Sequence, residues 1–155
     1  MADKRRFEYF ATLITTRFAA PRIFDIAGGM GKLNQALTSL GRDVTTFDRR
    51  HKHLPVNKFE ERLFTLDEPC ACDLIVGMHP DGATQLIVQY AAKHQVPFAI
   101  VPCCSENGMS YKPWMRHLTQ LAKDAGFAVV EEASLPMEGR ARVILGHPSG
   151  PACDG

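Results

Sequence analysis

The sequence predicts one α/β domain built on a mostly parallel sheet. Short apolar runs of strand length alternate with segments of helical periodicity from end to end. A glycine-rich turn follows the first run, and the last two runs have no helix between them. Apolar strands flanked by helices are covered on both faces, which is the habit of parallel sheets. Two final strands joined by a short turn are antiparallel neighbours.

Each element has its own signal. Phe7, Phe10, Ala11, Ile14 and Phe18 recur at helical spacing, and Pro21 closes that helix. Residues 22–25 form the first strand and residues 28–31 the glycine turn. Leu33, Ala36, Leu37 and Leu40 mark the next helix face, with Gly41 as its stop. Residues 44–48 are the second strand. Residues 49–58 are polar and carry no clear period, so no element is assigned there. The third strand is read at Arg62, Leu63 and Phe64, and the fourth at residues 73–78. Leu86, Ile87, Tyr90 and Ala91 give a helix face before the fifth strand, residues 98–101. Trp114, Leu118, Leu121, Ala122 and Ala125 give another, ending at Gly126. Residues 127–133 and 141–146 are the last two strands, around a turn with Pro136 and Gly139. The domain therefore occupies residues 1–147. Residues 148–155 read as a disordered tail.

Composition narrows the class. The chain has 155 residues, 45% hydrophobic and 23% charged, with a net charge of +1. That is a globular composition and the size of a single domain. No apolar run approaches the roughly 18 residues of a membrane span, and the charged start lacks the apolar core of a signal peptide. Five cysteines are an odd number in a chain large enough to fold without staples, so free thiols in a reducing, cytoplasmic setting are expected. Cys70 and Cys72 precede the fourth strand, whereas Cys103 and Cys104 follow the fifth. Six extended residues place the two pairs about 20 Å apart, too far for one zinc ion, so no metal site is expected and the thiols read as small buried apolar groups. Two basic clusters, Lys4 to Arg6 and Arg49 to His53, read as solvated surface, although the second falls beside the glycine turn.

The sharpest signal is Asp25-Ile26-Ala27-Gly28-Gly29-Met30-Gly31, between a strand and a helix. Glycines admit close backbone approach, and a helix start offers free N–H groups. A P-loop requires Ser or Thr after Gly-Lys, but Leu33 follows Gly31 and Lys32, and Ile26 stands where its first glycine belongs. A dinucleotide fingerprint requires a third glycine where Asn34 stands, and Asp25 would repel a diphosphate. A cationic nucleoside fits better, and S-adenosylmethionine (SAM) is one. Asp48, 23 residues after Asp25, ends the second strand, where a carboxylate can accept both ribose hydroxyls.

On these residues the chain resembles the class I SAM-dependent methyltransferases, whose motif is acid-x-Gly-x-Gly-x-Gly. Asp25, Gly29 and Gly31 match it, and Ala27 replaces the first glycine. The resemblance covers about residues 22–146. It implies a Rossmann-like methyltransferase fold, a seven-stranded sheet of order 3-2-1-4-5-7-6 with strand 7 antiparallel. It implies SAM as cofactor, held by Asp25, Ala27, Gly28, Gly29, Gly31, Asp48, Arg49, Met78 and His79.

Two further segments are similar to one subgroup of that family. Val76 to Thr84 (Val-Gly-Met-His-Pro-Asp-Gly-Ala-Thr) resembles its Gly-Leu-His-x-Cys-Gly-x-Leu-Thr motif, and Val101-Pro102-Cys103-Cys104 resembles its Val-Pro-Cys-Cys motif. Asp81 stands where the subgroup often has cysteine, so no role of that cysteine carries over. Some members of the subgroup act on RNA. His79 is the candidate base, because an imidazole titrates near neutrality, and Asp81 is the second catalytic candidate. His79 as a capping or packing residue is the competing reading.

Trp114 reads as core and Pro113 as a first-turn proline, while Tyr111, beside Lys112, divides between packing and stacking on a base. The connection before the fourth strand is too short for the usual helix, so no substrate cap is evident. An open crevice suits a large acceptor, RNA or protein rather than a small molecule, or a second subunit that completes the site. The expected function is SAM-dependent methyl transfer. The alternative is a catalytically silent SAM-fold module acting as a binding or regulatory subunit.

Overall fold

The computed structural model describes residues 5–80, 82–103, 106 and 108–149. Among the described residues the helices and strands follow in the order α1 (Arg6–Arg17), β1 (Arg22–Ile26), α2 (Lys32–Ser39), β2 (Asp43–Phe47), β3 (Lys58–Glu60), β4 (Leu74–Met78), α3 (Thr84–His94), β5 (Phe98–Val101), α4 (Tyr111–Asp124), β6 (Val129–Ser134) and β7 (Arg142–His147).

The sheet order is β3-β2-β1-β4-β5-β7-β6. β3, β2, β1, β4 and β5 run parallel, and β7 pairs antiparallel with both β5 and β6. The architecture is the single-domain, mostly parallel, Rossmann-like fold with a C-terminal antiparallel pair that the sequence implies.

Strand alternation sorts side chains onto two faces. Phe24, Ile26, Phe47, Ile75, Phe98 and Ile100 pack under α3 and α4, with Trp114 and Tyr90 fully buried among them. Ile23, Val44, Leu74, Val76, Ala99 and Val101 pack under α1 and α2, against Phe10, Ile14, Leu33 and Leu37. Each such large apolar side chain contributes about 1.5–3 kcal/mol on leaving water. Trp114 is a core residue, as its spacing on the α4 face requires.

Three expectations are corrected. The third strand is Lys58–Glu60, not residues 62–64. Its register, with Thr45 opposite Lys58 and Phe47 opposite Glu60, makes it a short edge strand. Phe64 is instead buried from the following loop, and Leu63 is exposed. Leu40 caps α2 and stands exposed, because the helix ends before it completes the apolar face. Cys72 is buried, but Cys70, two residues nearer the loop, is exposed.

Cys72 and Cys103 fall at opposite ends of neighbouring strands: Cys72 precedes β4 and Cys103 follows β5, and these strands pair in parallel with Met78 opposite Val101, while Cys104 lies outside the described residues. Among the described residues no cluster of three or more metal-ligating side chains occurs, and no helix is long and apolar enough to cross a membrane. No helix lies between β3 and β4. Pro148 and Ser149 follow β7 without regular structure, while residues 150–155, the rest of the expected tail, lie outside the described residues.

Candidate functional site

Parallel strands deliver their following loops to one edge, where open α/β sheets bind ligands. Here β1 delivers Ala27 to Gly31, β2 delivers Asp48 to Arg50, and β4 delivers His79. Gly31 starts α2 with φ 93°, the left-handed conformation that glycine adopts without strain.

The loops enclose a cleft of about 390 Å³ with Ala27, Gly29, Asp48, Arg49 and His79 on its wall. A smaller cavity of about 260 Å³ adjoins it, lined by Gly28, Met78, Arg6 and Lys32. Ala27, Gly29, Arg50 and His79 face both.

Asp48 fastens two of the loops together. Its Oδ2 accepts the Gly29 N–H at 2.8 Å and its Oδ1 accepts the Arg50 N–H at 3.0 Å. A carboxylate has about four acceptor positions, so two remain for hydroxyl donors from a ligand.

Asp25 is fully buried and lines neither cavity. Alternation explains its place: Ile23 and Asp25 share the α2 face of β1, beneath the glycine loop rather than in front of it. A hydrogen-bonded chain leads to it. The Thr38 hydroxyl donates to Asn34 Oδ1 at 3.0 Å, Asn34 Nδ2 donates to the Thr46 hydroxyl at 3.0 Å, and that hydroxyl donates to Asp25 Oδ2 at 2.9 Å. Asp25 Oδ1 is buried with no hydrogen-bond partner. Burial lifts the carboxyl from 3.8 to about 7, the Thr46 hydrogen bond opposes the rise, and the Asp48 charge adds to it. Gly28 rests on this pair so closely that a Cβ there would overlap Asp25 Oδ2 and meet Thr46 Cγ2 at 2.5 Å.

His79 ends β4 with φ 49°, and Ala27 has φ 53°. Among the described residues these are two of three non-glycine residues with positive φ, and both face the cleft. Strained backbone of this kind collects at functional sites. His79 Nε2 lies 3.0 Å from the Arg140 carbonyl. A carbonyl only accepts, so Nε2 carries the proton and Nδ1 of the neutral ring keeps its lone pair. Asp81 lies outside the described residues.

Some wall residues escaped the sequence reading. Arg62, Leu63 and Phe64, read there as a strand, form the outer wall of the cleft as a loop. Leu63 is 61% exposed, an apolar side chain held at the cleft mouth rather than in the core. Glu106 accepts the N–H groups of Thr84 and Gln85 at 2.6 and 3.3 Å, closing the N-terminus of α3 beside the cleft. Leu63 was read inside a strand, so no signal marked it for the cleft, and no local pattern marked Glu106.

No protein-family model matches the sequence, and no curated protein matches it significantly. Solved structures do match the fold. Human N-acetylserotonin methyltransferase in complex with SAM aligns with a TM-score of 0.63 at 16% identity, over 90% of this chain and 52% of that one. Streptomyces venezuelae DesVI aligns with a TM-score of 0.67 at 13% identity, over 94% of this chain and 93% of that one. Magnesium protoporphyrin IX methyltransferase from Synechocystis, with bound SAM, aligns with a TM-score of 0.64 at 13% identity, over 94% of this chain and 79% of that one. The fold is the one these three structures share. The chain spans about half of the human protein and nearly all of DesVI.

Proposed function

We propose that the protein is a SAM-dependent methyltransferase. The observation that carries the reading is Asp48, a cleft carboxylate with both oxygens anchored by backbone N–H groups and two acceptor positions to spare. It stands in a fold whose neighbours include structures solved with SAM.

The residues present fit that cofactor. Asp48 would take the ribose hydroxyls, and the apolar wall of Phe47, Leu63, Phe64 and Leu86 suits a nucleoside base. Ala27, Gly28 and Gly29 would lie along the rest of the molecule, with Arg49, Met78 and His79 at its margins. Gly31 and Asp25 serve from behind: Gly31 starts α2, and Asp25 supports Gly28 from below. When bound, SAM supplies an electrophilic methyl group. The chain's part is to hold an acceptor in line with it and to take the acceptor's proton. His79 Nδ1 has the free lone pair for that proton. Asp81 is proposed as a second catalytic residue.

The cleft has no helical cover between β3 and β4, and Arg49 and Arg50 stand exposed on its rim. An open, basic-rimmed cleft favours a large acceptor, RNA or protein, over a small molecule. The same openness favours a second reading, a SAM-binding subunit without turnover whose site another copy or a partner completes.

Titration calorimetry with SAM, followed by methyl incorporation into extract RNA and protein, tests the proposal. Saturable SAM binding with incorporation supports the enzyme. Binding without incorporation supports the silent module. A cleft that ignores SAM and takes a nicotinamide dinucleotide overturns both.

A further inference from the structure

Another cavity, about 580 Å³, lies between α4 and β6, away from the glycine loop. Its α4 wall carries Lys112, Arg116 and Lys123, all exposed. Spacings of four and seven residues put them on one helix face, and at 1.5 Å per residue they span about 16 Å along the axis. Among the described residues none of the three makes an ion pair. Glu132 is the one carboxylate on the lining, and Arg142 from β7 neutralises it at 3.3 Å. The groove therefore holds a line of uncompensated positive charge. Lys112 and Arg116, four apart on a helix, repel each other, a cost that an anionic occupant removes.

The floor is apolar and aromatic, made by the buried Met115 and the half-buried Tyr111. The Arg140 guanidinium covers the Tyr111 ring at 4.0 Å, and the Arg140 carbonyl accepts the His79 Nε2–H at 3.0 Å. One residue thus joins the upper end of the groove to His79 in the cleft.

We infer that this groove binds single-stranded nucleic acid through its backbone phosphates, with α4 as the track. Cations in one line on α4 match a single strand, whose regularly spaced phosphates pair with them, and the Arg140 guanidinium stacked on Tyr111 at the upper end offers a planar cation to a base. An acidic peptide supplies charge for the cations but no planar group for that stack, and labelled polyglutamate tests it. Binding in the groove stands independently of the proposed methyl transfer. Only the fate of the bound strand, led past Arg140 to His79, rests on that reading.

The test is fluorescence anisotropy of a labelled oligouridylate of about 15 nucleotides across a salt series, long enough to span the track. The wild-type chain is compared with Arg116→Glu/Lys123→Glu and, as a milder variant, Lys123→Gln. None of these residues belongs to the cleft, and thermal unfolding checks that each variant folds. The expected result is binding that weakens with salt. The double variant weakens it by about tenfold or more and flattens the log–log salt slope by about 1.4, the value for two lost phosphate contacts on a single strand. Absence of wild-type binding, equal binding by the variants, or equally tight binding of labelled polyglutamate overturns the inference. A SAM titration on the same samples separates the two claims. Oligonucleotide binding lost in the variant while the wild type ignores SAM leaves the groove standing and removes the methyltransferase reading.

Discussion

Asp48 Oδ2 accepts the backbone N–H of Gly29 at 2.8 Å, and this contact ties the loop after β2 to the loop after β1. It shapes the cleft before any ligand arrives. The same carboxylate holds Arg50 N–H at 3.0 Å, so the position of the basic rim depends on it as well. A preformed loop lowers the ordering cost of binding.

Gly28→Ala tests how tightly that loop is seated. A Cβ at Gly28 would enter the space of Asp25 Oδ2 and Thr46 Cγ2, both buried. The expected loss of stability is about 1–3 kcal/mol, the range for overpacking a filled interior. Urea unfolding measures it. Gly29→Ala is the control: a Cβ there meets no atom within 4 Å, but φ +60° leaves it conformational strain. A Gly28→Ala variant as stable as the wild type would mean that the loop does not rest on Asp25.

Asp25→Asn tests the buried acid. Its carboxyl is raised from 3.8 to about 7, so between these values the folded chain binds more protons than the unfolded one. Stability contributed by this group therefore falls as pH rises from about 4 to about 7, and the loss is complete above that. The Asn variant lacks this slope. Its stability relative to the wild type should increase from about pH 5 to about pH 8, read from denaturant midpoints. A constant difference between the two proteins would show that Asp25 ionises normally in the fold.

His79→Ala separates binding from turnover. With Nε2 committed to the Arg140 carbonyl, only Nδ1 can take a proton. The variant should keep SAM affinity within about twofold and lose roughly 10²–10⁴-fold in kcat, the range for removing a general base. Calorimetry and a methyl-transfer assay read the two quantities. Loss of SAM binding instead would make His79 a residue that shapes the cleft.

Much of this was legible in the residues. The run from Asp25 to Gly31 announces a strand, a tight loop and a helix start by composition alone. The missing helix between the last two strands announces their antiparallel pairing. β3 was not legible, because Lys58-Phe59-Glu60 offers a single apolar side chain, whereas Leu63 and Phe64 offer two adjacent ones. Adjacent apolar residues serve equally well in a loop that tucks one ring into the core and holds the other side chain over a cleft. The burial of Asp25 was half legible. Period-two alternation puts it on the face of Ile23, but only the fold shows that Thr46 and Asn34 meet it there. The link from His79 to Arg140 spans 61 residues and had no sequence signal.

The most direct measurement is a calorimetric titration of SAM into the wild-type chain and into Asp48→Ala. The account predicts one saturable site in the wild type and affinity reduced about tenfold to a hundredfold in the variant, the worth of one hydrogen bond to a charged group. Equal affinity in the two proteins, or no SAM binding by the wild type, would contradict it.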